Sequence, residues 1–392
     1  MRTGPRQFAV AALALVLLGA NTASVSGPPV EIDALVPSTG FGAFLGASYL
    51  KSFRALENYV NQTGGIRGRP LKIVTYDSQT SAQVGLQLAN SFIAKKAPIF
   101  IDGGPSAVCN SSLAIVQQAG PVDYCLSPLI KTVPNGYVFS ASVSGPVITN
   151  VGVRYFRLRG FKRLAMISST DSSGLDFEAK TLDSLALPEN KGVELVAREH
   201  FAPTDVSVSA QITRIMAAKP DAIFVWTAGT ACGTVFRNLS DAGVDLPVQT
   251  SSANLVYDQL ESYERFVPKH VYFTTLLAMT PEDTPRGPLR DAQLAFASAL
   301  AAVGTRPDVA TNLPWDPTMI LVTALRKLGP DPSAQQVRDY IETLHGWVGV
   351  NGVYDFGDGS QRGIGENAAQ MVEWNPAKRQ WIRASKPRGY LL

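Results

Sequence analysis

The sequence lacks the residue combinations on which most enzymes depend. It has no GxxxxGK[ST] phosphate loop, no GxGxxG after a predicted strand, no GxSxG elbow and no HExxH pair. Only three histidines occur, His200, His270 and His345, each in a context typical of a surface or a helix end. Asp355 and Asp358 resemble part of a calcium loop, but the alternating ligands and the terminal glutamate are missing. We therefore expect a binding protein without catalytic residues, metal or cofactor.

Charge is also sparse and balanced. The formal net charge is +3 over 392 residues, which gives no electrostatic footprint for nucleic acid or an anionic membrane. A basic tail around Lys378 to Arg388 is interpreted as a solvated surface. The length suits two α/β domains, each large enough to bury its own core.

Long apolar runs are absent except near the start. Arg2 and Arg6 precede an apolar stretch from Phe8 to Leu18, and small residues follow, which is typical of a secretory signal peptide. The stretch is shorter than the roughly 20 residues that span a bilayer. The candidate cleavage positions follow Ala20, Ala23 and Ser26. We expect residues 1–26 to be removed and the mature chain to be periplasmic, without lipidation because no cysteine lies there.

Cysteine is rare, with three in the chain. Cys109 is predicted at the start of a helix and Cys125 near the end of the next strand, and helix and strand run antiparallel in a βαβ unit. An exported chain normally oxidises such a pair, so we expect a disulfide; two buried thiols are the alternative. Cys232 is interpreted as a buried packing residue.

Short apolar runs alternate with helical patterns up to about residue 275, which predicts parallel sheets covered by helices. The predicted strands are 30–36, 71–76, 98–102, 122–126, 163–167, 193–198, 221–226, 247–250 and 271–274. Nine strands suit two sheets better than one. Thr204 or Asp205 is expected to cap the helix that carries Ile212. After residue 347, turn signals at Asp358-Gly359 and Asn375-Pro376 predict a pair of antiparallel hairpins at the edge of one lobe.

Four stretches, in order, resemble periplasmic leucine/isoleucine/valine-type binding proteins. VEIDALVPSTGFGAFLG (30–46) resembles the family's opening strand, turn and helix start, and TGGIRGRPLKIVTYDSQT (63–80) its Gly-Gly-Ile turn and second strand. GGPSAVCNS (103–111) resembles its serine-rich ligand loop, and PDAIFVWTAGTACGTVFRNLSDAGVDLPV (220–248) its second-lobe strand and helix. The similarity extends over nearly the whole mature chain.

The resemblance implies a type I periplasmic binding fold of the α/β class. Two Rossmann-like lobes are then joined by a three-crossing hinge and close on a ligand in the interlobe cleft. Lobe 1 is expected to comprise 28–145 plus 275–347, and lobe 2 146–274 plus 348–392. The implied function is that of a monomer that captures a small molecule and delivers it to an inner-membrane ABC permease. A ligand sensor of the same fold that feeds a regulator, and a secreted α/β hydrolase, are the alternatives.

The resemblance also implies binding residues. A ligand carboxylate is expected at Ser106 and at the backbone of Ala107 and Val108, because a helix N-terminus favours an anion. Alternatively, Ser106 only caps that helix. The other matching positions are Phe41, Phe44, Ser127, Leu129, Lys131, Ser173, Thr227, Ala228, Gly229 and Asn254. The alternative interpretation is that Phe41 and Phe44 pack in the core and that Lys131 is exposed to solvent.

One departure from the family bears on the ligand. Members that bind α-amino acids place a glutamate near the ligand ammonium, where this sequence has Ala253 or Asn254, and Ala228 replaces a frequent tyrosine. Burying an ammonium group without an acidic partner is costly. The sequence therefore favours an aromatic or other organic acid over a branched-chain or other amino acid, which stays the alternative.

Overall fold

The computed structural model describes residues 25–392. The predicted signal peptide lies outside the described residues, apart from Val25 and Ser26. Within residues 25–392 no helix combines the length and the apolar character needed to cross a membrane.

Strands and helices alternate along most of the described chain. The strands are β1 (Val30–Val36), β2 (Leu71–Asp77), β3 (Ile99–Asp102), β4 (Val122–Cys125), β5 (Val138–Ser140), β6 (Arg163–Ser169), β7 (Glu194–Phe201), β8 (Ala222–Trp226), β9 (Val248–Thr250), β10 (Val271–Leu276), β11 (His345–Val348), β12 (Val353–Asp355), β13 (Ala369–Asn375) and β14 (Gln380–Arg383). The nine strands predicted from apolar runs are confirmed within a few residues. The sequence analysis missed β5, whose three residues are too few to show a pattern.

The helices cover these strands. They are α1 (Ala43–Gln62), α2 (Ala82–Ala94), α3 (Ser106–Val116), α4 (Gly145–Leu158), α5 (Ser172–Leu185), α6 (Ser209–Ala217), α7 (Thr230–Asp241), α8 (Tyr257–Ser262), α9 (Pro288–Ala301), α10 (Val309–Asn312), α11 (Trp315–Leu328) and α12 (Ala334–Glu342). Helix α6 buries Ile212 and Ile215 as its apolar spacing predicts, but its N-cap is Val208. The expected cap was wrong because Asp205 accepts a hydrogen bond from the Ala202 N–H in a preceding turn (2.8 Å).

The strands form two main sheets, as predicted. The first sheet has the order β2-β1-β3-β4-β5 with parallel pairing, and we call the part of the molecule built on it the first lobe. The sheet of the second lobe has the order β14-β13-β10-β9-β8-β6-β7. Its β13–β14 hairpin pairs antiparallel with β10 and extends the sheet edge, which confirms the hairpin predicted at Asn375-Pro376. This architecture is the expected α/β type I periplasmic binding fold.

The other C-terminal hairpin turns at a different place from the predicted one. Strands β11 and β12 pair antiparallel, so the connection runs between Val348 and Val353. The Asp358 carboxylate instead accepts the Ser360 N–H (2.8 Å) in a local turn beyond β12. The chain does turn at Asp358-Gly359 as predicted, but within the described residues no strand after this turn pairs antiparallel with β12.

The predicted lobe boundary at residue 347 falls inside that hairpin. Downstream of it, the Tyr354 hydroxyl donates to Asp316 (2.9 Å) and Arg362 donates to the Ile130 carbonyl (2.6 Å), both within the first lobe. Glu366 then forms an ion pair with Arg154 of α4. The division into lobes stays a proposal, and these contacts favour placing the third crossing near residues 363–365.

Candidate ligand-binding site

A cleft lies between the carboxyl ends of strands from both sheets. Counting solvent at its mouth, it encloses about 740 Å³, within the usual range for small-molecule sites. Its lining comprises Phe41, Gly42, Phe44, Leu45, Tyr49, Gly104, Pro105, Ser106, Leu126, Ser127, Pro128, Leu129, Ser173, Phe177, Thr227, Ala228, Gly229, Ser251, Ser252, Ala253, Gln259 and Leu313. The predicted residues that the structure brings together here are Phe41, Phe44, Ser106, Ser127, Leu129, Ser173, Thr227, Ala228 and Gly229.

Helix N-termini from both lobes open onto this cleft. Helix α3 begins at Ser106, and its N-cap is Pro105, so no side chain caps it. Ser106 therefore does not act as the cap that the alternative interpretation assigned to it. Helix α7 follows Gly229, and α5 presents Ser173 in its first turn. The Asp171 side chain caps α5, whereas no side chain caps α3 or α7, and unpaired N–H groups at such uncapped termini favour a ligand anion.

The two lobes contact each other across the cleft. The hydroxyl oxygens of Ser106 and Ser173 lie 3.1 Å apart. A Cβ atom built on Gly229 would lie only 2.1 Å from the Phe41 carbonyl oxygen, so the backbones meet there. Gly229 also has a φ of 63°, in the left-handed region that glycine tolerates best. These contacts correspond to a closed arrangement of the two lobes.

Aromatic and aliphatic side chains form much of the lining. Phe44 lies edge-on to Tyr263, with ring centroids 6.4 Å apart, and Phe177 stacks on Trp226 at 4.9 Å. The sequence analysis missed Tyr49 and Phe177. Each lies four residues beyond another lining residue of its helix, Leu45 and Ser173 respectively, so the helical period could have found both.

Among the described residues that line the cleft, none carries a charged side chain. The polar groups are hydroxyls, backbone groups and the amide of Gln259. A ligand ammonium would therefore find no acidic side chain in the lining, and a ligand carboxylate would depend on N–H and O–H donors.

Two predicted residues near α3 do not line the cleft. Val108 is fully buried, and its N–H donates to the Pro105 carbonyl within the first helical turn (2.8 Å). Ala107 is half-buried beside it. Lys131 is also away from the cleft, because the loop after β4 turns its side chain to solvent.

Asn254 lies behind the cleft rather than on its surface. It is fully buried, its side-chain oxygen accepts the Gly229 N–H (3.0 Å), and its amide nitrogen donates to the Thr227 carbonyl (2.8 Å). It thereby holds the loop from Thr227 to Gly229 in place. Its neighbour Ala253, the other residue aligned with the family's glutamate, lines the cleft.

A family model described as periplasmic binding protein matches residues 29–380. The chain belongs to the periplasmic binding protein family. A search of curated protein sequences gives no match.

Solved structures share the fold of this periplasmic binding protein at low identity. An extracellular ligand-binding receptor from Rhodopseudomonas palustris HaA2 has a TM-score of 0.80 at 20% identity, covering 91% of this chain and 100% of that one. A leucine-binding protein from Thermotoga maritima gives 0.76 at 17%, covering 91% and 97%. A solute-binding protein from R. palustris in complex with benzoate gives 0.77 at 16%, covering 93% and 98%.

A buried carboxyl group lies directly behind the α3 loop of this binding protein. Asp102 ends β3 and accepts the Gly104 N–H (2.9 Å). Burial raises the pKa of Asp102 to about 7, although the Gly104 hydrogen bond lowers it. Burial, with Asp102 nearby, also raises the pKa of Asp123 well above its usual range. A protonated Asp102 leaves the region behind the ligand loop uncharged.

The structure joins Cys109 and Cys125 by a disulfide, with Cα atoms 6.1 Å apart. The bond ties the first turn of α3 to the end of β4, so it braces the loop that carries Ser106. Cys232 is a buried thiol, and burial raises the pKa of Cys232 to about 12. Such a thiol is a poor nucleophile at neutral pH.

The three histidines lie away from the cleft, each beside a carboxylate. His200 contacts Glu178, His270 contacts Glu373 and His345 contacts Asp355. Within residues 25–392, no three His, Cys, Asp or Glu side chains come together as a potential metal site.

Proposed function

We propose that this periplasmic binding protein is the solute-binding component of an ABC-type importer. It closes its two lobes on a small carboxylate-bearing ligand and delivers that ligand to an inner-membrane permease. The preferred ligand is an aromatic or other organic acid without an ammonium group. We also propose that residues 1–26 direct export and that the mature protein acts as an unlipidated monomer without turnover of its ligand.

One observation carries the ligand assignment: the cleft combines the uncapped α3 N-terminus and Ser106 with a lining that holds no charged side chain. Helix N–H groups and hydroxyls can hold a carboxylate without a cation. An ammonium group, by contrast, would lose its hydration without gaining an acidic partner. Apolar rings beside these donors suit an aromatic or branched hydrocarbon body.

The structural neighbours are compatible with either ligand type. One is a leucine-binding protein and another was solved with benzoate. An amino acid is therefore the second candidate, with backbone carbonyls and the Gln259 amide in place of the missing glutamate. A sensor feeding a regulator would use the same cleft and differ only in its partner.

The experiment is a thermal-shift screen of refolded, ligand-stripped protein, because a ligand of the native state raises the melting temperature by mass action. The probes are benzoate, phenylacetate and 4-methylpentanoate, with phenylglycine and leucine as the amino-acid counterparts of the last two. We expect the acids to stabilise the protein more than the amino acids, and titration calorimetry then gives Kd. Stabilisation by the amino acids alone would contradict the ligand proposal.

Ser106→Ala tests the carboxylate position. We expect about a tenfold loss of affinity for the best acid, the usual effect of removing a hydrogen bond to a charged group. Ser111→Ala is the matched control, since this serine lies on the same helix but donates to the Val108 carbonyl and is not in the lining. Equal losses in both variants would argue against a direct role for Ser106. Turnover of esters or amides that a cleft substitution abolishes would support the hydrolase alternative.

A further inference from the structure

Gln259 stands out among the cleft residues because its side chain is a fully buried amide. It lies in α8, in the second lobe, and the family resemblance did not point to it. Buried amides normally satisfy both their oxygen and their nitrogen. The hydrogen bonds around Gln259 determine which atom of its side-chain amide is the oxygen and which is the nitrogen.

The orientation of the Gln259 amide follows from its neighbour Asn254. The Asn254 oxygen is identified as an acceptor because the Gly229 N–H donates to it, while the Asn254 nitrogen donates to the Thr227 carbonyl. Gln259 must therefore direct its own nitrogen at that oxygen, and it does so at 2.8 Å. The same nitrogen is 3.4 Å from the Gly229 carbonyl oxygen, another acceptor. A flipped amide would place two acceptors against each other.

The consequence is a side-chain oxygen without a hydrogen-bond donor. Gln259 Oε1 is buried and has no partner, and among the described residues of the cleft lining it is the one such side-chain atom. A buried acceptor without a donor costs free energy. Gln259 belongs to the cleft lining, so a ligand group that reaches this side chain is the candidate for the missing donor.

We propose that Gln259 is a specificity-determining residue that accepts a hydrogen bond from a hydroxyl group of the ligand. The ligand class is then a hydroxylated organic acid, with its carboxylate toward α3 and its hydroxyl toward α8. An amide oxygen could also accept from an ammonium, but the lining supplies no negative charge to offset the buried cation. The position of the ligand carboxylate in this inference rests on the proposed function. The position of the hydroxyl rests on a different residue, Gln259.

The test measures preference within matched pairs by titration calorimetry on the mature protein. One set is benzoate with 2-, 3- and 4-hydroxybenzoate; another is 4-methylpentanoate with 2-hydroxy-4-methylpentanoate and leucine. A neutral pair, methyl benzoate and methyl 4-hydroxybenzoate, lacks the carboxylate. We expect at least one hydroxy acid to bind about tenfold or more tightly than its parent, because the parent leaves the acceptor unpaired.

Gln259→Met keeps the size of the side chain and removes the acceptor. This substitution should lower the ratio of affinities between the hydroxy acid and its parent acid to near one, chiefly by weakening the binding of the hydroxy acid. Gln293→Met is the matched control: Gln293 is also buried, donates to the Val350 carbonyl and has an unpartnered oxygen, but lies outside the cleft. A structural effect alone would weaken both members of a pair and leave their ratio unchanged. If the methionine variant does not fold, Gln259→Asn keeps an amide group that is one methylene shorter and should also reduce the preference, because its oxygen no longer reaches the same place.

Each outcome decides a different point. Acids that bind without a hydroxyl preference, or with one that survives Gln259→Met, overturn the inference and leave the proposed function intact. Leucine binding more tightly than its hydroxy analogue overturns the hydroxyl assignment. A Gln259-dependent preference in the neutral pair alone supports the inference and contradicts the carboxylate proposal. No binding of any probe contradicts both.

Discussion

The first lobe contributes mostly rings and aliphatic side chains to the cleft, whereas the second lobe contributes mostly small and hydroxyl-bearing residues. The first wall comprises Phe41, Phe44, Leu45, Tyr49, Leu126 and Leu129 around the α3 N-terminus. The second wall comprises Ser173, Phe177, Thr227, Ala228, Gly229, Ser251, Ser252, Ala253 and Gln259. Apolar area on one side supplies affinity, and small residues on the other let backbone and polar groups come close to the ligand.

The contrast extends behind the two walls. The first wall is braced by the Cys109–Cys125 disulfide and has the buried carboxyl of Asp102 beneath its loop. The second wall is held by amide hydrogen bonds from Asn254 and Gln259. A covalent brace suits the carboxylate loop, while an amide network can also respond to the ligand.

Removing the brace of the first wall should have the largest effect on stability. We expect the double variant Cys109→Ser, Cys125→Ser to lose about 3 kcal/mol of unfolding free energy, the amount typical for a loop of this length. Urea unfolding measures the loss, and Cys232→Ala serves as a thiol control. Mass spectrometry of the unreduced protein that finds free thiols at both positions would contradict the disulfide.

Placing a methyl group where the walls touch should block closure. Gly229→Ala puts a Cβ against the Phe41 carbonyl, so we expect at least about a hundredfold weaker binding of the best acid probe, as the closed state is the binding-competent one. Gly243→Ala is the matched control, because Gly243 has a similar φ of 65° with no atom within 4 Å. Similar losses in both variants would attribute the effect to backbone strain.

The buried carboxyl behind the first wall makes stability depend on pH. Burial raises the pKa of Asp102 from the ordinary aspartate value of 3.8 to about 7 in the folded chain, so the protonated form favours folding at low pH. That contribution is lost as the pH rises from about 4 to 7, by at most about 1.4 kcal/mol per pH unit. Urea unfolding should show wild type losing stability relative to Asp102→Asn as the pH rises through this window, with no further change above it. A constant difference would mean that Asp102 is ionised throughout.

Reducing the aromatic character of the first wall should change ligand preference moderately. We expect Phe41→Leu to weaken benzoate about fivefold relative to 4-methylpentanoate, since ring contacts contribute about 1 kcal/mol beyond area. Calorimetry gives the ratio. Phe266→Leu, a ring stacked on Tyr263 outside the cleft lining, should leave it unchanged. If Phe41→Leu leaves the ratio of the two affinities unchanged, the hydrocarbon part of the ligand does not contact Phe41.

The smallest effect is expected at Lys131. Its side chain is exposed and outside the lining, so Lys131→Met should alter the Kd of acid probes by less than about twofold at physiological salt. A larger loss would mean that the loop after β4 turns inward when the ligand binds.

Local pattern was sufficient for the nine predicted strands and for the helix that carries Ile212, because apolar runs and helical spacing report burial residue by residue. The resemblance pointed to nine of the 22 residues that line the cleft, among them Ser106, Ser173 and Gly229. It also named Val108 and Asn254, which lie two positions from Ser106 and one position from Ala253 but are fully buried behind the cleft. Neighbours in sequence at a helix start or loop face different directions, and a single chain does not reveal which one faces the ligand.

What the sequence by itself determined is the α/β class, the positions of nine strands along the chain and the absence of recognisable catalytic motifs, since these depend on residues close together in the chain. The tertiary structure alone decided which polar groups meet across long distances. The hydrogen bonds that join Asn254 and Gln259 to Gly229, the contact between Gly229 and Phe41 and the raised pKa of Asp102 all require elements from separate parts of the chain to pack together. Hydrogen-bond direction and desolvation depend on that packing, and so does the specificity of the cleft.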